Sequence, residues 1–203
     1  MTLMSAYSAL ERLGPAVTTA EAAAALGRSA SSASRVLAEL AKARRVSRIK
    51  PGLWWLQTQP PDPFSIASEL TSPHPAYVSM LSALNYHGVI DQLPRDIELA
   101  SLDRARKIQT SVGVYRVHHL PPELFGGWES SPRGPVATVE KALFDLCYVG
   151  VVSAGRPRYV PELDLSADFD RTRIDDWAGR IRNSRLRTMT MVAVDKTLAR
   201  SVR

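Results

Sequence analysis

Apolar residues at Ala33, Val36, Leu37 and Leu40 repeat at i, i+3, i+4 and i+7, the spacing of one face of an α-helix. The segment Arg28–Arg45 is therefore predicted to be an amphipathic helix. Ser29 is its expected N-cap, since a hydroxyl there accepts from the unpaired N–H groups of the first turn. The opposite face carries Ser31, Arg35, Ala38 and Lys42, with Ser34 and Glu39 beside it. Upstream, Ser5–Leu13 reads as a short helix with Leu10 and Leu13 facing inward, ended by Gly14-Pro15. Thr18 and Glu21 stand at the spacing of a capping box, so a second helix begins there, runs through the alanines up to Leu26 and stops at Gly27. Helix, glycine turn, helix is the helix-turn-helix arrangement. After Arg45 the period falls to two. Val46–Ile49 and Leu53–Leu56 read as strands joined by Lys50-Pro51-Gly52, a hairpin in the position of a wing, with Trp54 or Trp55 packed beneath it.

A proline-rich stretch at 57–63 marks a boundary, with residues 58–63 as a semi-rigid, solvated linker. Beyond it the pattern is mixed. Short helices are expected at Phe64–Leu70 and from near Ser79 to Gly88, the latter directing Leu81, Leu84 and Tyr86 toward a core. Strands are expected at Ile97–Ala100 and Val112–Leu120, with Arg104–Lys107 as a basic loop between them. Thr138 caps a helix running to Tyr148, and Glu140 suits its positive end. From Arg171, Ile174, Trp177, Ala178 and Ile181 again follow helical spacing beneath a basic surface of Arg173, Arg180, Arg182, Arg185 and Arg187. Ser184–Ala199 forms a last helix, although 188–194 alternates like a strand. The expected fold class is α+β: a winged helix-turn-helix domain over 1–57, then a mixed α/β domain with C-terminal helices over 58–203.

Composition narrows the setting. The chain has 203 residues, 45% hydrophobic and 23% charged, a globular balance. It has no apolar run of membrane-spanning length and no apolar signal core at its start. A single cysteine excludes an internal disulfide, and a cytoplasmic protein is expected. The net charge of +6 is unevenly spread: +5 over 1–57, −5 over 58–170 and +6 over 171–203. Basic ends suggest contact with a polyanion there, with solvated arginine-rich helices as the plainer alternative.

Small hydroxyls let a helix backbone approach a DNA groove, and an arginine among them reaches a guanine edge or a phosphate. The candidate contacts to double-stranded DNA are Arg28, Ser29, Ser31, Ser32, Ser34, Arg35 and Lys42 from the helix, with Arg48 and Lys50 from the hairpin. An ordinary amphipathic helix would carry a similar polar face, and winged helices also serve as protein-interaction modules. Enzyme signatures are missing: the sequence has no phosphate-binding glycine loop, no paired-histidine zinc motif and no nucleophile elbow. Glu140, Lys141 and Asp145 are read as helix capping and surface salt bridging. His118 and His119 point to opposite faces of a strand and cannot share a metal. Cys147 reads as a core residue. No catalysis, cofactor or metal is expected.

Three blocks of the second domain carry a resemblance. They are Tyr77–Ile90 followed by Leu93-Pro94, then Val117–Leu120, and then Ala137–Leu146 with its Glu140-Lys141-Ala142-Leu143 core. In this order, behind a winged helix, they resemble the AbiEi-type antitoxins over about residues 5–150. The resemblance implies an antitoxin of a type IV toxin–antitoxin system. Its winged helix would bind inverted repeats at its own promoter and repress transcription. Its second domain would neutralise a cognate nucleotidyltransferase toxin, either by contact or without it. A plain winged-helix transcriptional regulator is the further alternative.

Overall fold

Thr18 ends a strand and begins a helix. In the computed structural model, which describes residues 2–154 and 161–201, its hydroxyl accepts the Glu21 N–H at 3.2 Å. The Glu21 carboxylate accepts the Thr18 N–H at 2.7 Å, completing the capping box. Helix α1 (Leu3–Glu11), strand β1 (Ala16–Thr18), α2 (Thr19–Leu26), α3 (Ala30–Lys42), β2 (Ser47–Lys50) and β3 (Leu53–Trp55) follow in order. The α2 helix stops at Gly27, whose φ of 59° places it in the left-handed region, with its N–H bonded back to Ala23 and Ala24. The three strands form an antiparallel sheet in the order β1-β3-β2.

Leu10, Val17, Ala22, Ala33, Leu37, Leu40, Val46, Trp54 and Leu56 make the core of this part. Burying each leucine contributes roughly 1.5–3 kcal/mol. Both tryptophans of β3 are buried. The Trp54 indole donates to the Thr19 hydroxyl at 3.1 Å and the Trp55 indole to the Gln59 carbonyl at 2.8 Å. Leu13 departs from expectation. The first helix closes at Glu11, and Leu13 lies past its end with 47% of its surface exposed.

Contacts gather residues 1–66 and 109–113 into one unit, and 67–108 with 114–203 into a second. The helix expected at Phe64–Leu70 starts later, as α4 (Ala67–Thr71). Residues 62–65 form a turn instead, in which the Asp62 carboxylate accepts the Phe64 N–H at 2.8 Å and its carbonyl accepts the Ser65 N–H at 3.0 Å. The chain then runs through β4 (Ala76–Val78), α5 (Met80–Tyr86), β5 (Ile97–Ser101), β6 (Arg106–Thr110), β7 (Gly113–His119), a 3-10 turn at Pro122–Leu124, β8 (Trp128–Ser131), β9 (Gly134–Ala137), α6 (Val139–Ala154), α7 (Arg171–Gly179) and α8 (Ser184–Leu198), all in the second unit except the end of β6 at 109–110 and the first residue of β7, Gly113. The sheet of these strands has the order β6-β7-β5-β4-β9-β8 and mixes directions: β4 is antiparallel to β5 and parallel to β9, and β5 is parallel to β7.

Arg106 and Lys107 lie on β6, not in the basic loop expected at 104–107. That strand is at a sheet edge and has one buried apolar residue, Ile108, so it carries no hydrophobic alternation. Helix α6 is the hub of the second unit and packs against α5, α7 and α8. Every residue from Glu140 to Val151 on it is buried. The alternating stretch 188–194 is helical: Thr190, Ala193, Val194 and Thr197 are buried at helical spacing. The threonine hydroxyls donate to the carbonyls of Leu186 and Ala193, four residues back. The molecule is thus a mixed α+β fold. Among the described residues no helix is long and apolar enough to cross a membrane.

Removing the hydroxyl in Thr18→Ala takes away half of the capping box at the β1–α2 junction. The expected cost is about 1 kcal/mol, read as a lowered denaturation midpoint with an unchanged slope in urea. An unchanged midpoint would show that the cap does not hold this junction.

Candidate nucleic-acid interface

Helix α3 is sealed along Ala33, Leu37 and Leu40, which are fully buried. The same turn geometry leaves Ser31 and Arg35 on the far side, and both are exposed. Ser32 and Ser34 are half-buried at the margins of that face. Ser29 caps the helix as expected: its hydroxyl accepts the Ser32 N–H at 3.3 Å and lies 3.2 Å from the Ser31 hydroxyl. Arg28 is exposed just past the left-handed Gly27, at the N-terminal entrance to α3. Positive helix-end potential and an arginine are therefore found together there.

Lys42 sits at the other end of the face, but its ammonium is 2.7 Å from the Glu39 carboxylate. Both side chains are exposed, so the pair contributes little to stability, and it cancels the one acid on this face. Two exposed arginines that sequence reasoning missed, Arg44 and Arg45, follow directly. The backbone turns at Arg44 with a φ of 55°, as the helix ends on an Arg45 N–H bonded to the Leu40 carbonyl at 2.9 Å. On β2, the exposed Arg48 guanidinium lies over the Trp54 ring, 5.6 Å from its centroid, while Lys50 is half-buried. All nine residues named from the sequence thus lie in the first unit, on α3, at its start or on β2.

In the second unit one cluster of polar groups is buried. Lys141 and Asp145, expected at the surface, have no exposed side-chain area and form an ion pair one helical turn apart on α6. The other Asp145 oxygen accepts from the Tyr77 hydroxyl at 2.9 Å and the Ser79 hydroxyl at 2.8 Å. Ser79 is the N-cap residue of α5, yet its hydroxyl caps nothing because it is turned toward Asp145. The Glu98 carboxylate on β5 serves that helix end instead, accepting the Leu81 N–H at 3.1 Å. The Lys141 ammonium lies 4.4 Å from the Trp177 ring centroid and 5.1 Å from that of Phe144. Gly127 has a φ of 75°, and a β-carbon there would stand 2.8 Å from the Trp177 ring and 2.9 Å from the Lys141 stem, so only glycine fits.

Burial pushes the Asp145 carboxyl up and the Lys141 ammonium down, and each partner's charge opposes the other's shift. Burial, then the Asp145 charge, pushes the Tyr77 phenol far above its ordinary value. Glu140, also buried, accepts the Asp170 N–H at 3.2 Å ahead of α7. Lys141, Asp145, Tyr77 and Ser79 thus satisfy one another inside the core. Cys147 is buried as expected, its thiol pushed up to about 11 by burial. His118 is half-buried with Nε2 3.4 Å from Glu98, and the exposed His119 has Nδ1 3.3 Å from the Asp103 carbonyl. Among the described residues no group of histidine, cysteine and carboxylate could hold a metal ion.

A separate cavity of about 200 Å3 is lined by Leu81, Ile90, Pro94, Asp96, Glu98 and Arg116, among others. Arg116 at 2.8 Å and Lys107 at 3.3 Å hold the Asp96 carboxyl below its ordinary range, partly against the effect of burial. No protein-family model matches this chain, and no curated protein matches it.

Asp145→Ala strands the Lys141 ammonium in the core. The expected loss is about 3–5 kcal/mol of stability, and replacing both charges in Lys141→Met with Asp145→Leu is expected to cost less. Chemical denaturation of the three proteins checks this. A double variant as unstable as the single one would show that the charges themselves hold α6 in place.

Proposed function

We propose that the first unit is a winged helix-turn-helix that binds duplex DNA. In this reading α3 enters the major groove and the β2–β3 hairpin is the wing on the flanking backbone. One observation carries it: the face of α3 opposite the buried stripe is built from exposed Ser31 and Arg35, with exposed Arg28 at its head. Short hydroxyl side chains leave room for the helix backbone to approach base edges, and Arg35 has the reach to bond guanine or phosphate. The one carboxylate on the face, Glu39, is neutralised by Lys42. Arg48, over the Trp54 ring, is placed to meet a phosphate.

The finer proposal is an antitoxin of a type IV toxin–antitoxin system, a cytoplasmic autorepressor that also neutralises a cognate nucleotidyltransferase toxin. It rests on the sequence blocks that resemble AbiEi-type antitoxins. Residues from two of those blocks meet inside the second unit: Tyr77 and Ser79 bond Asp145, and the His87 ring lies 2.8 Å from the Ala137 carbonyl. The resemblance is therefore carried by core residues that hold β4, α5 and α6 together, and it supports a shared fold for that unit more than a shared surface. No catalysis is assigned to the protein.

The test measures affinity of the full chain for a duplex bearing inverted repeats from upstream of its own gene, and for random duplex of equal length. Arg35→Ala is expected to cost about 1–3 kcal/mol on the repeats and to narrow the preference over random DNA. In cells the same variant is expected to release the promoter while still protecting against a co-expressed nucleotidyltransferase toxin from a neighbouring reading frame, which the proposal requires. A variant that keeps the wild-type preference would remove α3 from the interface. Absence of any protection by the wild-type protein would reduce the proposal to a DNA-binding regulator.

A further inference from the structure

Strand β2 carries an irregularity at the tip of the hairpin. Arg48 pairs with Trp54 and Lys50 pairs with Leu53, so Ile49 has no partner on β3. This is a bulge, and a bulge leaves backbone groups out of the ladder. The Ile49 side chain is buried, and its carbonyl accepts the Ser111 N–H at 2.9 Å. Ser111 comes from residues 109–113, which belong to the first unit although they lie far along the chain. Because β2 is an edge strand in the order β1-β3-β2, this bond meets a strand edge that would otherwise be open on that side.

The segment that supplies the bond is closed by one side chain. The Thr110 hydroxyl donates to the Gly113 carbonyl at 2.7 Å and accepts the Val112 N–H at 3.2 Å. Gly113 has a φ of 153°. A shallow groove of about 300 Å3 lies here, lined by Arg48, Ile49, Lys50 and Pro51 together with Gln109 and Thr110. The two cations flanking the bulge are the same two that the hairpin is expected to offer to the DNA backbone.

We propose that residues 109–113 are a positioning element for the hairpin: Thr110 shapes the turn, the Ser111 N–H pins the bulge at Ile49, and Arg48 and Lys50 are thereby held in the attitude that meets backbone phosphates. The inference rests on the duplex-binding reading above. Pinning acts by preorganisation. Two long cationic side chains on an unpinned two-stranded tip would lose conformational freedom on binding, and a fixed bulge lowers that loss. Thr110 and Ser111 act through Arg48 and Lys50, so their effect belongs to the sequence-independent, salt-sensitive part of the affinity.

The experiment is a double-mutant cycle on the full chain with Thr110→Val and Arg48→Ala, read by duplex affinity across salt concentrations. Thr110→Val is expected to weaken binding about three- to tenfold and to lower the salt slope toward that of Arg48→Ala, about 0.9 for each phosphate no longer neutralised. It should leave the ratio of operator to random affinity unchanged. Arg48→Ala should cost clearly less in the Thr110→Val background than in the wild-type chain, and Thr110→Ser should restore wild-type behaviour. Additive losses, or a Thr110→Val protein with the wild-type slope, would overturn the inference. A measurement on the unaltered protein stands beside these variants: the Ser111 amide is expected to exchange slowly with solvent, and exchange at the rate of an open turn would overturn the inference even if Thr110→Val failed to fold. No duplex binding by the wild-type protein would sink the duplex-binding reading and this one together, whereas binding with additive losses sinks only this one.

Discussion

Helix α3 can have only one face in the core, and that constraint sets what the first unit offers to the outside. Ala33, Leu37 and Leu40 are sealed against Leu10, Val17, Ala22 and Trp54. Rotating the helix by one residue would bury Arg35 or Ser34 without partners and expose leucine. The cost of an unsatisfied buried polar group, roughly 1–3 kcal/mol or more when charged, fixes the rotation. The outward presentation of Ser31 and Arg35 follows from packing on the other side. The caps enforce the same geometry at the ends. Ser29 fixes where the helix begins, and Gly27 turns the chain sharply enough for α2 and α3 to share a core.

The second unit is organised around a different constraint, a pair of charges taken out of water. Lys141 and Asp145 are both fully buried, and removing either alone would leave an ion unpaired. Their surroundings are arranged to keep that from happening. Tyr77 from β4 and Ser79 from the start of α5 bond Asp145, while Trp177 from α7 covers Lys141. Elements far apart in sequence are thus tied to one turn of α6. Such a pair adds little net stability over a well-packed apolar one.

The local features of the first unit were legible in the sequence because each is decided by neighbouring residues. The Thr18–Glu21 box, the Gly27 stop, the Ser29 cap and the stripe from Ala33 to Leu40 all depend on spacings of a few positions. Strand β1 was not legible, since three residues are too few to show a period. Strand β6 hid behind Arg106 and Lys107, and β8 behind an exposed run from Trp128 to Ser130. The alternation within α8 made that helix ambiguous because Thr190, with its hydroxyl satisfied inside the helix, is buried as an apolar residue would be. Lys141 and Asp145 are the instructive failure. A lysine four residues before an aspartate has the same spacing on an exposed helix as on a buried one, and only Tyr77, Gly127 and Trp177, distant in the chain, decide between them. The bond from Ser111 to Ile49 was out of reach for the same reason.

The central claim is that one face of α3, with the hairpin behind it, is a DNA-binding surface. Backbone amide shifts of the full chain, followed while duplex DNA from upstream of its own gene is titrated in, report on that proposed surface most directly. The largest changes are expected from Gly27 to Arg35 and from Arg48 to Gly52. Saturable binding that leaves those amides unmoved would contradict the account.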